Sequence, residues 1–263
     1  MLVDSHCHLD RLNLQDHPDG LAGMLSDANA VGVEHFLNVC IHPDTLSTLL
    51  NMACNRSDMS VSVGLHPTEI AATHEPTAEE LAKLATHPKI VALGETGLDY
   101  SHQDYDLHLQ QTRFRNHIRA AKKVHKPLIV HTRHAPEDTL TLLAEEKAEQ
   151  VGGVLHCFTE SLEMAEQAIE KHNFYISFSG ILTFKNAADI REVAKKLPLE
   201  RILIETDAPY LTPAPFRGKR PNQPAYVRYV AEILAEIRGI SFERVAQQTT
   251  ENFFRLFQQA AKN

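Results

Sequence analysis

The chain of 263 residues carries 34 acidic and 26 basic side chains, which gives a net charge of −8. This balance argues against a protein that coats duplex DNA through a broad basic face, but not against an enzyme that grips one strand end in a local site. Hydrophobic residues make up 43% of the sequence, enough for a sizeable core, and no apolar run approaches the roughly 18 residues needed to cross a membrane.

Short apolar runs at eight places along the chain predict β-strands. These runs are Leu2–Leu9, Glu34–Ile41, Ser60–His66, Ile90–Leu98, Pro127–Thr132, Gly153–Phe158, Phe174–Ser179 and Arg201–Asp207. Segments with helical period or composition lie between them: Gly20–Val31, Asp44–Cys54, Thr77–Ala85, Leu107–His125, Pro136–Gln150, Leu162–His172 and Asn186–Leu197. Two of these segments begin at capping residues. Thr77 has Glu80 at capping-box spacing, and Ser161 precedes the segment that begins at Leu162.

Alternating strands and helices predict parallel βαβ units. The number of strands and the length of the chain match a single-domain (β/α)8 TIM barrel over residues 1–263. An open doubly wound α/β sheet is the second choice, because no Gly-rich phosphate turn follows any strand. The tail from Gln223 to Phe257 predicts two or three further helices. We expect its final aromatic cluster, which includes Phe253 and Phe257, to pack against the barrel.

The first predicted strand ends in two histidines, His6 and His8. Side chains alternate along a strand, so both imidazoles are expected on the same face. Neutral imidazole nitrogens are common ligands for divalent metals, and two side by side favour a metal site. The alternative is a pair of hydrogen-bonded histidines at a strand terminus.

Further ligand-type side chains stand at the ends of later strands, where a barrel carries its catalytic groups. The predicted metal ligands are His6, His8, Glu95, His131, His156 and Asp207. Each follows an apolar run, where a charge or an imidazole is expensive to bury unless it is paired or bound to metal. The pattern therefore favours a metal site over a set of separately satisfied core histidines.

Six ligands suit two divalent ions better than one, since a single catalytic zinc takes about three protein ligands. We expect Glu95 to bridge the ions. In this division His6, His8 and Asp207 complete one site with Glu95, and His131 and His156 complete the other. Mixed imidazole and carboxylate ligands suit Zn²⁺ or Mn²⁺, and Mg²⁺ is a further candidate that prefers oxygen.

Catalytic roles are predicted for Asp207, as the general base towards water, and for Glu95 and His66. Asp99 and Glu205 are expected to support ligand histidines from behind. The four cysteines show no CxxC spacing, which favours a reducing, cytoplasmic compartment with the cysteines as small buried hydrophobes.

The motifs DSHCHLD, GLHP, GETGLDY, VHTR, LHCF, ETDAPYLTP and NFFRLF resemble the TatD family of metal-dependent deoxyribonucleases, from residue 3 to about residue 257. The resemblance implies a (β/α)8 barrel of the amidohydrolase superfamily, the same six metal ligands, and DNase activity that includes 3′→5′ exonucleases. It also implies substrate contacts near His66 and Arg133. Thr96 and Ser101 depart from the family's GEIGLDYY pattern, which affects the pocket wall and no ligand.

A phosphodiester needs positive charge, which an acidic protein has to place locally. Arg133 is the leading candidate because its planar fork can bind phosphate through two donors. His66 and His134 are weaker candidates, and His66 could donate to the leaving oxygen. The basic loop 217–220 is either a phosphate-gripping lid or a solvated charge run. Tyr100, Tyr105, Phe184 and Tyr210 could stack on bases, although packing is the commoner role of such residues.

The sequence thus predicts a hydrolase of terminal phosphodiesters in single-stranded DNA, because a strand end can thread into a barrel mouth where a duplex cannot. The partner is DNA, no membrane is involved, and the chain is expected to be a cytoplasmic monomer with a role in DNA repair. The alternative is a two-metal hydrolase of carboxylic esters or amides, such as an aminoacyl-tRNA deacylase. A metal-dependent binding protein is a third reading, which would need a closed metal site.

Overall fold

Eight parallel strands follow one another in sequence order around a barrel. The structure is a computed structural model that describes residues 1–69, 74–102 and 106–260. The strands are β1 (Leu2–Cys7), β2 (Val33–Asn38), β3 (Met59–Val63), β4 (Ile90–Asp99), β5 (Leu128–Arg133), β6 (Gly153–Leu155), β7 (Phe174–Phe178) and β8 (Ile202–Ile204). At the seam, the Asp207 amide donates to the His6 carbonyl at 2.9 Å and the His8 amide donates to the Ala208 carbonyl at 2.8 Å. The predicted (β/α)8 barrel is confirmed, and the open sheet is wrong.

Helices cover the outside of the barrel. They are α1 (Gly20–Ala30), α2 (Leu46–Ala53), α3 (Ala78–Leu84), α4 (Leu107–Val124), α5 (Pro136–Glu145), α6 (Leu162–His172), α7 (Ala188–Lys196), α8 (Val227–Arg238) and α9 (Phe242–Leu256). Thr77 and Glu80 form the predicted capping box, and Ser161 caps α6 by accepting from the Met164 amide. The predicted α5 is too long, because Lys147 adopts a left-handed conformation that separates it from a short 3-10 turn.

Several strands end earlier than predicted, so their ligand-type residues stand on the first residues of the following loops. β3 ends three residues before His66, and β8 ends three residues before Asp207. These residues still hydrogen-bond to the neighbouring strand ends: the His66 amide donates to the Ile41 carbonyl at 2.9 Å. The barrel therefore fixes the backbone beyond the regular strands and places these side chains over its carboxyl end.

Apolar side chains fill two layers. The outer layer lies between strands and helices and includes Cys7, whose position between His6 and His8 points it away from the barrel interior. The inner layer fills the barrel and its amino end, where Phe253 of α9 and Phe257, the residue that follows α9, are fully buried. The expected packing of the tail is thus confirmed.

Cys54 is exposed and Cys157 is half-buried, so the expectation that all the cysteines are buried is wrong for these two residues. Within the described ranges, no helix has both the length and the apolar character that crossing a bilayer requires.

Candidate metal centre at the carboxyl end of the barrel

A cavity of about 660 Å³ opens at the carboxyl end of the barrel. All six predicted ligands, and His66, lie next to one another at the base of this cavity. Five of them, with His66, line the cavity: His8, Glu95, His131, His156 and Asp207. His6 lies beneath them, buried against His156 with the two rings stacked at 3.9 Å between centroids.

Glu95 stands at the centre of this cluster, and its two carboxylate oxygens face different groups of imidazoles. Oε2 lies 3.3 Å from His6 Nε2 and 3.6 Å from His8 Nε2. Oε1 lies 2.8 Å from His156 Nε2 and 3.4 Å from His131 Nδ1. One carboxylate thus separates two groups of nitrogen donors, which is the arrangement that a bridging ligand requires.

Asp207 completes the first group from the opposite wall. Its Oδ1 lies 3.3 Å from His8 Nε2 and 3.6 Å from His6 Nε2. His66 joins the second group, since its Nε2 lies 3.0 Å from Glu95 Oε1. The sequence predicted a substrate contact and a catalytic role for His66 but no place among the ligands, and the structure places its imidazole as close to Glu95 as those of the predicted ligands.

Three of the histidines are held from behind by acceptors outside the cluster. His8 Nδ1 lies 3.0 Å from the Val39 carbonyl, and His131 Nε2 lies 3.0 Å from Asp99 Oδ2. His156 Nδ1 lies 3.3 Å from Glu205 Oε1. A partner on one ring nitrogen fixes the tautomer and turns the other nitrogen towards a metal.

Glu205 is itself fully buried and held in place. It accepts from the Cys157 amide at 2.7 Å and from Ser177 Oγ at 2.6 Å, besides its contact with His156. Asp99 accepts from the amide of Ser101 at 2.9 Å. Both carboxylates therefore occupy the supporting positions predicted from their places in the sequence.

The carboxylates of the cluster are ionised despite their burial. Burial opposes the charge on Glu95, but the surrounding imidazoles, His156 foremost, outweigh it and hold the pKa of this carboxyl well below its usual range. For Asp207, burial is likewise outweighed, chiefly by the hydrogen bond with His8, and the pKa is lowered. Both groups are acceptors ready for a cation.

The imidazoles fall into two classes. Burial opposes the charge of His156 too, but Glu95 and Glu205 outweigh it and raise its pKa well above the usual value. Burial prevails for His6 and His66, whose pKa values are lowered. The cluster therefore concentrates negative charge among imidazoles that can act as neutral ligands once a cation replaces their protons.

The donor set fits divalent ions. His156 Nε2 is buried and has no hydrogen-bond partner among the described residues, although it points at Glu95. The Nε2 atoms of His6 and His8 face each other at 3.2 Å. Buried imidazole nitrogens directed at one another and at carboxylates are the geometry of ligands that share a metal, and imidazole with carboxylate suits Zn²⁺ or Mn²⁺.

A polar ridge on α4, which sequence reasoning missed, hydrogen-bonds to the backbone near His66 and at Asp99. The ridge consists of Gln110, Arg113 and His117, spaced at i, i+3 and i+7 and each at most 2% exposed. Gln110 exchanges two hydrogen bonds with the backbone of Asp99, at 2.8 and 3.0 Å. His117 Nε2 accepts from the Leu65 amide at 3.0 Å.

Arg113 makes the densest contacts of the ridge. Its guanidinium donates to the carbonyls of His66 at 2.6 Å, Pro67 at 3.3 Å and Glu69 at 3.0 Å, and it pairs with Glu75. The loop that carries His66 is thus fixed by a buried cation. Polar residues at the helical spacing of a buried face were the signal in the sequence that indicates this role.

Positive charge on the cavity wall comes from two exposed arginines. Arg133 lines the cavity as predicted, and Arg11, which sequence reasoning did not consider, lines it as well. Neither side chain has an acidic partner within the described part of the chain. His134, the weaker candidate, is exposed beside Arg133 and does not line the cavity.

The predicted stacking residues differ in their surroundings. Tyr100 packs against the outer core and donates to Asp138 Oδ2 at 2.7 Å, so it is a packing residue. Tyr210 is 49% exposed on the cavity wall. The ring of Phe184 lies under Arg217. Tyr105 lies outside the described residues.

Comparison with known proteins gives a consistent result. The chain matches the family profile described as TatD related DNase over residues 3–258. It is 45% identical over 256 residues to the metal-dependent hydrolase YcfH of Escherichia coli K12, which covers 97% of this chain and 95% of that protein. It is 33% identical over 200 residues to the 3′-5′ ssDNA/RNA exonuclease TatD of Escherichia fergusonii, which covers 74% of this chain and 76% of that protein. The solved structure of the TatD homologue YjjV from Escherichia coli K12 has a TM-score of 0.88 at 29% identity, with 98% of both chains covered.

Proposed function

Since this chain belongs to the family of TatD-related DNases and is a metal-dependent hydrolase, we propose that it removes nucleotides from the 3′ end of single-stranded DNA. The relative from Escherichia fergusonii carries the name of a 3′-5′ exonuclease on single-stranded DNA and RNA, which supports the polarity and the strand preference. A barrel mouth accepts a strand end and excludes a duplex. A cytoplasmic monomer that trims DNA ends, as DNA repair requires, is part of the same proposal.

One observation carries the proposal: the Glu95 carboxylate lies between two groups of imidazoles at the base of a cavity lined by two arginines that pair with no acidic side chain of the described residues. His6, His8, Glu95 and Asp207 would hold one divalent ion, and Glu95, His131 and His156 the other, with His66 beside this second group. When bound, such ions polarise a phosphodiester and lower the pKa of water at neutral pH.

The chain's own residues supply the remaining roles. Asp207, ionised and on the cavity wall, accepts the proton of the attacking water. Arg133 and Arg11 bind the phosphate oxygens and compensate the net charge of −8 locally. His66 lies at the wall beside Glu95, where its imidazole can donate to the leaving oxygen. Arginines favour a phosphodiester over a neutral ester or amide carbonyl.

The test is hydrolysis of single-stranded DNA labelled at its 5′ end, with Mg²⁺ or Mn²⁺. We expect a ladder that shortens from the 3′ end and that disappears with EDTA, with Asp207→Asn and with Glu95→Gln. The matched control is Asp189→Asn, which removes an equal charge from the exposed first turn of α7. A strand of RNA in a parallel reaction shows whether ribose is accepted.

Two results contradict this proposal. Internal cuts would keep the phosphodiester chemistry and replace the exonuclease by an endonuclease. No cleavage by protein that contains about two equivalents of metal would exclude a DNase. Hydrolysis of a carboxylic ester, an amide or an aminoacyl-tRNA by the same protein would then establish the alternative hydrolase.

A further inference from the structure

Two loops at the carboxyl end of the barrel together form a basic surface. The loop after β7 contributes Lys185, and the loop after β8 contributes Arg217, Lys219 and Arg220, all four exposed. We call these four residues the basic rim. Their exposure places four positive charges on one side of a protein whose net charge is −8. None of the four takes part in the proposed hydrolysis.

The basic rim is an ordered structure. The Ala214 amide donates to Thr183 Oγ1 at 2.9 Å, which joins the two loops. Phe216 stacks on Tyr226 with ring centroids 4.4 Å apart, and this contact fixes the loop to the start of α8. Asn222 Nδ2 donates to the carbonyl of Thr206 at 2.7 Å. These contacts anchor the backbone of the loop that carries Arg217, Lys219 and Arg220.

Arg217 is oriented within the rim by an aromatic ring. Its guanidinium carbon lies 3.6 Å from the centroid of the Phe184 ring. A guanidinium that stacks on a ring keeps the donors at its edge available, and those donors match the oxygens of a phosphate. Phe184 thus positions a cation of the rim.

The cations of the rim differ from those on the helices. Three arginines on α4 and α8 form ion pairs: Arg115 with Glu145 at 2.8 Å, Arg119 with Glu146 at 2.5 Å and Arg228 with Glu232 at 2.7 Å. The rim has no ion pair with any carboxylate of residues 1–69, 74–102 or 106–260. Its charge is thus uncompensated within the described structure.

The rim adjoins the cavity of the metal centre. Ile181 and Leu211, from the two loops that carry the rim, line that cavity together with Tyr210. Gly180 lies so close to the Leu211 carbonyl that a Cβ would overlap it, so the loops meet without a gap there. The Tyr210 ring lies 6.0 Å from that of His8. A chain that leaves the cavity past Tyr210 meets the rim next.

We propose that the basic rim binds the phosphates of a single-stranded polynucleotide beyond the nucleotide at the metal centre. This inference rests on the proposed function and deepens it, because it makes a strand of several nucleotides, and not a dinucleotide, the preferred substrate. A single strand has one negative charge per nucleotide and is flexible enough to follow the two loops, and exposed cations bind it by releasing counterions.

The test measures binding apart from hydrolysis. A 5′-fluorescein oligothymidylate of 20 nucleotides with phosphorothioate linkages binds the metal-loaded protein, and its anisotropy gives Kd at several salt concentrations. The variant Arg217→Gln/Lys219→Gln/Arg220→Gln is expected to raise Kd on the order of tenfold and to reduce the slope of log Kd against log salt by about 2, since each phosphate contact on a single strand contributes about 0.7. Hydrolysis of a dinucleotide should be unchanged.

The control removes three positive charges from the other end of the barrel, by Lys195→Gln/Lys196→Gln/Arg244→Gln, all on exposed positions of α7 and α9. Its Kd and salt slope should match those of the parent protein. Equal effects of the two triple variants, or an unchanged slope in the rim variant, would overturn the inference. Parent protein that fails to bind the 20-mer would overturn it too, whereas binding of this 20-mer together with no hydrolysis of the unmodified strand would refute only the exonuclease.

Discussion

The two ends of the barrel both bury histidines, and they treat them differently. At the amino end, His35 lies 2.9 Å from Ser60 Oγ and packs against the rings of Phe253 and Phe254. Burial lowers its pKa to about 4. At the carboxyl end, His156 lies between Glu95 and Glu205, and these carboxylates raise its pKa well above the usual value.

The difference shows what separates a structural histidine from a candidate ligand. A neutral partner such as a hydroxyl satisfies one imidazole, and burial then keeps the ring uncharged. Carboxylates place negative charge against both nitrogens of an imidazole at the other end, as where His156 Nε2 lies 2.8 Å from Glu95 and His156 Nδ1 lies 3.3 Å from Glu205. Burial and residue type are the same at both ends, so the partner alone marks the functional end.

The largest effect is expected where the two groups of imidazoles meet. Glu95→Gln removes the charge that both groups face. Loss of a residue that supports a metal ligand lowers activity by up to about 100-fold, and we expect a larger loss of hydrolysis for Glu95 itself. Metal content measured by elemental analysis should fall in parallel. The comparison variant at the amino end, His35→Asn, should keep both. An active, fully metallated Glu95→Gln protein would contradict the assignment.

A smaller effect is expected one step away from the ligands. Asp99→Asn keeps the shape but weakens the acceptor of His131, which contacts it at 3.0 Å. We expect a loss of about 10–100-fold in metal affinity or activity, measured by titration with Mn²⁺ and by hydrolysis. Ser101→Ala, which leaves the carboxylate in place, is the control. Unchanged Mn²⁺ affinity and unchanged hydrolysis in Asp99→Asn would show that Asp99 does not position His131.

A substitution in the polar ridge of α4 tests whether the backbone contacts of this ridge support the cluster. Arg113→Lys keeps the buried charge but cannot reach the three carbonyls that the guanidinium contacts. We expect kcat to fall about tenfold with little change in KM, because a small displacement of His66 misaligns the reacting groups. The kcat must be expressed per folded enzyme, with the folded fraction measured by circular dichroism, because a loss of folded protein also lowers the apparent kcat at unchanged KM.

The matched control for the ridge lies at the amino end. Asn252 is fully buried, and its Nδ2 donates to the carbonyls of Leu199 and Ile202, each at 2.8 Å. Asn252→Ala should cost about 1–3 kcal/mol of stability and leave kcat unchanged. If Arg113→Lys behaves like Asn252→Ala, the ridge serves stability only.

The smallest effect concerns pH. His35 at the amino end and His117 in the ridge both have a pKa lowered by burial to about 4, against 6.5 when unfolded. Between these values the unfolded chain binds more protons, so the stability that each contributes is present above pH 6.5 and is lost as the pH falls through 4. From pH 6.5 to 5.5 each should cost about 1 kcal/mol, measured by urea unfolding. His35→Asn should remove the part of this loss of unfolding free energy that comes from His35. If the slope of stability against pH is the same in this variant as in the parent protein, the assignment to His35 is wrong.

The sequence by itself determined the barrel and which candidate ligands lie together. Strands and helices have local periods that show in the residues, and the carboxyl ends of parallel strands must meet, so His6, His8, Glu95, His131, His156 and Asp207 could be placed together without coordinates. The supporting places of Asp99 and Glu205 followed from the alternation along strands.

Tertiary structure alone decided the rest. The loops that continue past the ends of β3 and β8 decide which oxygen of Glu95 faces which imidazole. They also bring His66 into the second group. The ridge of α4 and the basic rim arise from contacts between segments far apart in the chain, as when Arg113 reaches the His66 carbonyl. Local periodicity carries no information on such contacts, because they form only when the barrel closes and brings distant loops to one end.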